Sequence, residues 1–208
     1  MTTVSNDDPW LTVLAGKHSD QSAITVRKYA DLRTNAEQQL IADMLHRRFT
    51  ERYLDPALDN SGRHGFAVLA ICCLMVEALE SFRNGWKSSS GKSEEAFCSF
   101  FQAHDEFKDL RPVAHDFYRA VRCGILHQAE TTDGWRVNQG QQLFFQSGGI
   151  RRISASEFGN RLKSVLDRYR QELVAADWNS DVWVKARRKI QAICRNCGLA
   201  DADVASLA

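Results

Sequence analysis

The sequence predicts a mainly α-helical bundle with one small β insertion, and three observations carry that prediction. Only three prolines (Pro9, Pro56, Pro112) interrupt 208 residues, and proline ends helices because it lacks an N–H donor and clashes with the preceding turn. Apolar residues recur at three and four along most of the chain, the period that gathers them on one helix face. Between about residues 133 and 153 the texture changes to short β-capable pieces separated by glycine.

Taken in order, residues 1–20 are polar and read as a loose segment, and residues 21–208 read as a single helical domain. From about Thr25 to Leu54 the apolar positions Leu32, Ala36, Leu40, Met44, Leu45 and Phe49 predict one long amphipathic helix. Pro56 and Asp59-Asn60-Ser61-Gly62 break it. Arg63 to Arg83 predicts a second helix that is apolar almost all round, as befits the centre of a bundle or an oligomer interface. Its uninterrupted apolar run, Phe66 to Val76, has eleven residues. A bilayer span needs about 20, so a core helix is expected and no membrane partner.

Asn84 to Ser93 reads as a loop. A third helix over Glu94–Asp109 would bury Phe97, Phe100, Phe101 and Phe107, and Pro112 opens a fourth that runs at least to Arg122. Trp135–Val137, Leu143–Phe145 and Ile150–Ile153, divided by Gly140 and Gly148-Gly149, read as a hairpin or small meander. Ser154 or Ser156 would cap the next helix, which carries Phe158, Leu162, Val165, Leu166, Tyr169 and Leu173. A last helix covers about Ser180 to Cys194.

Hydrophobic residues are 44% and charged residues 25% of the chain, which argues against disorder, a collagen-like repeat or a coiled-coil rod. The net charge is +1, so no global nucleic-acid signature exists. The halves differ, however. Residues 1–110 hold 12 basic and 16 acidic side chains, and residues 111–208 hold 15 and 10, a bias compatible with a polyanion partner but equally with solvated helix faces. Six cysteines, two adjacent in the apolar run, suit a reducing compartment. With no basic start followed by an apolar stretch near the N-terminus, a cytoplasmic location is expected.

Three motifs fall short of their chemistry. Gly85 to Gly91 has five intervening residues where a phosphate-binding loop has four, and a helix where that loop follows a strand. Cys194-Arg-Asn-Cys197 is half a zinc site without a second pair nearby. His104-Asp105 and His115-Asp116 resemble the His-Asp pair of HD-type metal-dependent phosphohydrolases, with His64 and Asp167 as further ligands on paper, yet both pairs sit beside Phe in amphipathic helices.

The sharpest feature is Val121-Arg122-Cys123-Gly124-Ile125-Leu126-His127-Gln128-Ala129-Glu130. An Arg and a His separated by four residues late in a helix resembles the Arg-x4–6-His motif of the HEPN superfamily, small α-helical bundles that include many metal-independent endoribonucleases of toxin and defence systems. The match covers about ten residues in wording and roughly residues 25–175 in layout. Cys123 departs from it, since many members place a polar residue after the Arg. The resemblance implies RNA as substrate, no cofactor or metal, a homodimer with a shared cleft, an antitoxin or other regulatory partner, and Arg122 and His127 as the catalytic pair.

In chemical terms the pair suffices. The RNA 2′-hydroxyl is an internal nucleophile, an imidazole can move a proton near neutrality, and a guanidinium can hold the phosphate oxygens as charge builds. On an ideal helix Arg122 and His127 stand about 140° apart, and Gly124 between them would permit a distorted turn that swings His127 back. His115 and Arg119 share the Arg122 face, while Asp116 shares that of His127. Gln128 and Glu130 are supporting candidates by proximity. Glu77, which ends the apolar run, is either a solvated acid near a helix end or the group that orients a catalytic side chain. The alternatives are a non-catalytic HEPN-like module that binds RNA or protein in the same cleft, and the HD-type phosphohydrolase. A structural reading of the pair also stands: Arg122 paired to a helix acid and His127 a capped or otherwise satisfied histidine.

Overall fold

The structure is a computed structural model and describes residues 8–17, 22–59 and 64–207. Helix accounts for 68% of it, with only small sheets, so the mainly-α fold with small β insertions is as expected. In chain order the elements are a 3-10 turn (Pro9–Leu11), β1 (Val13–Ala15), β2 (Ile24–Thr25), α1 (Val26–Thr34), α2 (Gln38–Phe49), a π-helical turn (Thr50–Leu54), α3 (Asp55–Leu58), α4 (Gly65–Asn84) and α5 (Ser93–Ala103). A 3-10 segment (Asp105–Val113) then leads into α6 (Ala114–Phe117), a second π-helical turn (Tyr118–Cys123) and α7 (Gly124–Gln128). The chain finishes with β3 (Trp135–Asn138), β4 (Phe144–Ser147), β5 (Ile150–Ser154), α8 (Ala155–Ala175), α9 (Asp181–Asn196) and α10 (Asp201–Ser206).

These elements make two compact units. The first contains residues up to Arg52, Ser81–Ser88 and the chain from Arg168 on. Its core holds Leu14, Tyr29, Ile41, Met44, Phe49, Phe82 and Trp183, all nearly inaccessible to solvent. The buried Trp183 indole donates to the Leu173 carbonyl at 2.8 Å, which satisfies the one polar atom that side chain brings inside.

Tyr53–Glu80 and Ser89–Asp167 form the second unit. Its core is a cluster of aromatic rings, as the apolar stripes of the third and fourth predicted helices require. Phe117 stacks on Phe158 with centroids 5.5 Å apart and meets Trp135 edge-on at 5.6 Å. Phe97, Phe101 and Phe107 complete it, each fully buried. At about 1.5–3 kcal/mol for each such side chain removed from water, this cluster anchors the segment that carries Arg122 and His127.

Several boundaries differ from the sequence-based expectation, each for a local reason. The helix expected over Thr25–Leu54 is divided. Ala36 adopts a left-handed φ of 52°, and Glu37 N–H reaches back to the Leu32 carbonyl at 2.9 Å, the closing bond of a Schellman cap. Side-chain periodicity continues across that cap, which is why the pattern hid it. The third helix stops at Ala103 because His104 is extended, at φ −119° and ψ 114°. Pro112 lies inside the following 3-10 segment, so the fourth helix opens at Ala114.

The loose N-terminal segment holds structure where it is described. Leu14 and Ala15 are buried, Val13 pairs with Thr25 across β1 and β2, and Arg48 donates to the Leu14 carbonyl at 2.8 Å. Residues 1–7 and 18–20 lie outside the described residues, as do Asn60, Ser61, Gly62 and Arg63 of the expected break and helix start. Strands are therefore not confined to the insertion. Within the insertion β4 and β5 form the expected antiparallel pair, but β3 runs parallel to β5, giving the order β3-β5-β4 rather than a meander. Ser154 caps α8, its hydroxyl accepting from Glu157 N–H at 3.3 Å, and α10 occupies a tail in which no element was expected.

Candidate functional site

Residues 114–128 form one helical run with a π-helical turn in its middle. A π turn carries one extra residue, so a carbonyl loses its regular partner. Here the Ala120 carbonyl accepts from Thr132 N–H at 3.0 Å. Thr132 can reach it because the chain reverses at Ala129, which caps α7 in the left-handed region at φ 56°. The returning chain also bonds Glu130 N–H to the Gly124 carbonyl. A Cβ at residue 124 would stand 2.5 Å from the Glu130 backbone oxygen. Gly124 is thus required by close approach. Its own dihedrals are helical, at φ −57° and ψ −54°, while the distortion lies in the π turn immediately before it, where the Gly124 N–H bonds back to the Val121 carbonyl.

This geometry keeps Arg122 and His127 apart. Arg122 lies in the π turn and His127 on α7, so five helical steps of about 90–100° set their side chains about 90–140° apart around the axis, and no hydrogen bond joins them. Arg122 turns toward α4. Its Nε donates to Glu77 Oε1 at 2.7 Å, with the two side chains only 16% and 10% exposed. Ser93, the first residue of α5, donates its hydroxyl to the other Glu77 oxygen at 2.7 Å. The guanidinium carbon lies 5.7 Å from the centre of the Tyr118 ring, one π turn earlier. Burial alone would pull the Arg122 pKa down, but the hydrogen bond and charge of Glu77 outweigh it and leave the pKa raised.

Glu77 is thus neither solvated nor at a helix end: it sits within α4, 8% exposed. One turn before it, Cys73 is fully buried and burial pushes its thiol pKa well up, with Cys72, Glu77 and Cys123 adding to the shift and Arg122 opposing it. Tyr118 is likewise raised, by burial first and the neighbouring Cys123 thiol next. Ser93 and Tyr118 were not legible as site residues beforehand. The only hint was the spacing of four between Tyr118 and Arg122, which ordinary helices also show.

His127 is exposed near the C-terminal end of α7 and makes no hydrogen bond or ion pair with a described residue. Arg119 and Gln128 are exposed in the same way. The other supporting candidates are engaged. The His115 imidazole contacts the Glu94 carboxylate through Nδ1, Asp116 pairs with Arg151 on β5 at 3.3 Å, and Glu130 accepts from Thr131 N–H at 2.9 Å. Each of these bonds occupies a group that was a candidate for chemistry.

For the metal reading, no group of three or more His, Cys, Asp or Glu able to hold an ion occurs among the described residues. His104 is buried against Phe100, ring centres 4.6 Å apart. Helix α4 is long and apolar enough to cross a membrane by length and composition, and 61% of that window is buried within the protein. Comparison of the chain with family models, curated proteins and solved structures found no match.

Proposed function

We propose that the chain is a HEPN-like, metal-independent endoribonuclease acting as a homodimer, with Arg122 as the phosphate ligand and His127 as the proton-transfer group. The observation that carries this is the state of the two side chains. Glu77 holds Arg122 through Nε and the Cys123 thiol is a further hydrogen-bond partner, so the five-donor guanidinium is fixed in place with donors to spare for non-bridging phosphate oxygens. His127 is exposed and without a partner among the described residues, so its imidazole is open to a substrate hydroxyl.

In the proposed reaction the imidazole of His127 takes the proton of the RNA 2′-hydroxyl. The 2′-oxygen then forms a bond to phosphorus while the bond to the 5′-oxygen breaks, and the leaving oxygen takes its proton from the protonated His127 of the second copy. The products are a 2′,3′-cyclic phosphate and a 5′-hydroxyl. Glu77 acts as a positioning residue, fixing the guanidinium plane. One histidine serves one proton transfer, and within a chain Arg122 and His127 diverge. A second copy would supply the missing half of the cleft. Exposed apolar side chains on the same unit support that assembly: Phe66 and Leu74 on α4 are 39% and 48% exposed, and Leu126 beside His127 is 44% exposed.

Product analysis tests the chemistry. Cleavage in EDTA should give 2′,3′-cyclic or 3′-phosphate ends, and an RNA carrying 2′-deoxyribose at the cut site should resist. Cuts that leave a 3′-hydroxyl, or that proceed through 2′-deoxyribose, would exclude attack by the 2′-oxygen. One observation favours the second reading, a module that binds without cutting: Glu77 already neutralises Arg122. On that reading RNA is retained intact whatever the conditions.

A further inference from the structure

The three-stranded sheet has an outer face that nothing above explains. Cross-strand partners lie side by side and share a face, so the register aligns Arg136 on β3, Arg152 on β5 and Phe145 on β4 in one row. All three are exposed, Phe145 by 41%. The opposite face carries the buried Trp135 and Ile153. The Arg152 guanidinium lies 5.7 Å from the centre of the Phe145 ring. Neither Arg136 nor Arg152 forms an ion pair or hydrogen bond with a described residue. From Gly134 to Ser156 the chain has three arginines and no acidic residue, and the third, Arg151, is occupied by Asp116.

Two guanidiniums directly opposite each other repel, and an exposed Phe forfeits burial. The contact of Arg152 with the Phe145 ring returns part of this to folding, but it leaves the charge of Arg136 unopposed. A ligand that brings negative charge to the arginines and a flat apolar surface to the ring would gain from both. Gln141 and Gln142, both exposed in the loop between β3 and β4, add amide donors and acceptors at the edge of the same sheet.

We infer that the outer face of β3-β5-β4 is a docking platform for single-stranded RNA, with Arg136 and Arg152 on consecutive phosphates and an unstacked base on Phe145. An exposed aromatic beside cations is the combination single strands require: the backbone supplies charge and every base supplies a π face. A duplex keeps its bases stacked and gives Phe145 nothing to bind. The choice of RNA among polyanions rests on the endoribonuclease reading.

The test is fluorescence anisotropy with a labelled oligouridine bearing 2′-O-methyl sugars, which a 2′-oxygen nucleophile cannot cut. The proteins are wild type, Arg136→Ala, Arg152→Ala, Phe145→Ala and the control Lys108→Ala. Each arginine variant should bind more weakly and lower the slope of log affinity against log salt by about 0.7. Phe145→Ala should lose about fivefold or more in affinity with the salt slope unchanged, and Lys108→Ala, which removes an exposed cation away from the sheet, should bind as wild type does. Wild-type affinity and slope in all three sheet variants would overturn the platform, even if the protein cuts RNA. Sheet-dependent binding by a protein that never cuts would keep the platform and remove the nuclease. Failure of the wild type to bind the oligonucleotide, while it binds phosphatidylserine vesicles through the same three residues, would overturn the platform in favour of a lipid surface.

Discussion

Arg122 and His127 are five residues apart and have opposite relationships to the fold. Removing the Arg122 side chain deprives the buried Glu77 carboxylate of its ion-pair partner at 2.7 Å, a loss of about 3 kcal/mol by the usual cost of breaking a buried pair. His127→Ala removes an exposed imidazole and should stay within about 0.5 kcal/mol of wild type. Urea unfolding of both variants checks this; equal stabilities would mean that the Glu77 pair contributes nothing. The consequence for enzymology is that loss of cleavage in Arg122→Ala is ambiguous, whereas loss in His127→Ala is not. Ala129 is the other residue with a definite expectation. An alanine at φ 56° carries the left-handed penalty that glycine avoids, so Ala129→Gly should raise stability by about 0.5–1 kcal/mol after its extra unfolded-state entropy is counted. A lower melting temperature for Ala129→Gly would contradict the assigned backbone.

At the scale of elements, the π turn, Gly124 and the returning 129–132 segment form one device. Gly124→Ala places a methyl group against the Glu130 backbone oxygen, which no rotamer relieves, and should cost about 1–3 kcal/mol. Hydrogen exchange should then show Thr132 N–H losing protection, because its bond to Ala120 depends on that close approach; unchanged protection would uncouple the two. This device marks the limit of what the sequence could reveal. Periodicity finds faces, so the helix around Phe117 and the buried stripe of α5 were legible. A π turn adds one residue without changing the residue types around it, and so left no trace. Gly124 was visible as an anomaly, but its cause lies six residues later in the chain's return. Glu77 was visible as the acid that ends an apolar run; its partner, 45 residues away, was not. The split at Ala36 was hidden because a Schellman cap keeps helical spacing on either side.

For the whole molecule, buried acids set the response to alkali. Burial raises the thiols of Cys72 and Cys194 from about 9 to about 12, and raises the Tyr29 phenol as well. Above pH 9 the unfolded chain releases protons that the folded chain retains, so it binds fewer protons and stability must fall as pH rises. That contribution is complete below pH 9 and is lost progressively toward pH 12. Urea midpoints should therefore decline over that range, and the Cys72→Ala, Cys194→Ala double variant should decline less steeply; a flat profile would contradict burial of these groups. The proposed activity is the other property of the whole molecule. Its most direct test is incubation of wild type and His127→Ala with total RNA in EDTA, read on a denaturing gel alongside their melting temperatures. Wild type should cleave, and His127→Ala should not, at equal stability. Equal cleavage by the two proteins would contradict the role proposed for His127.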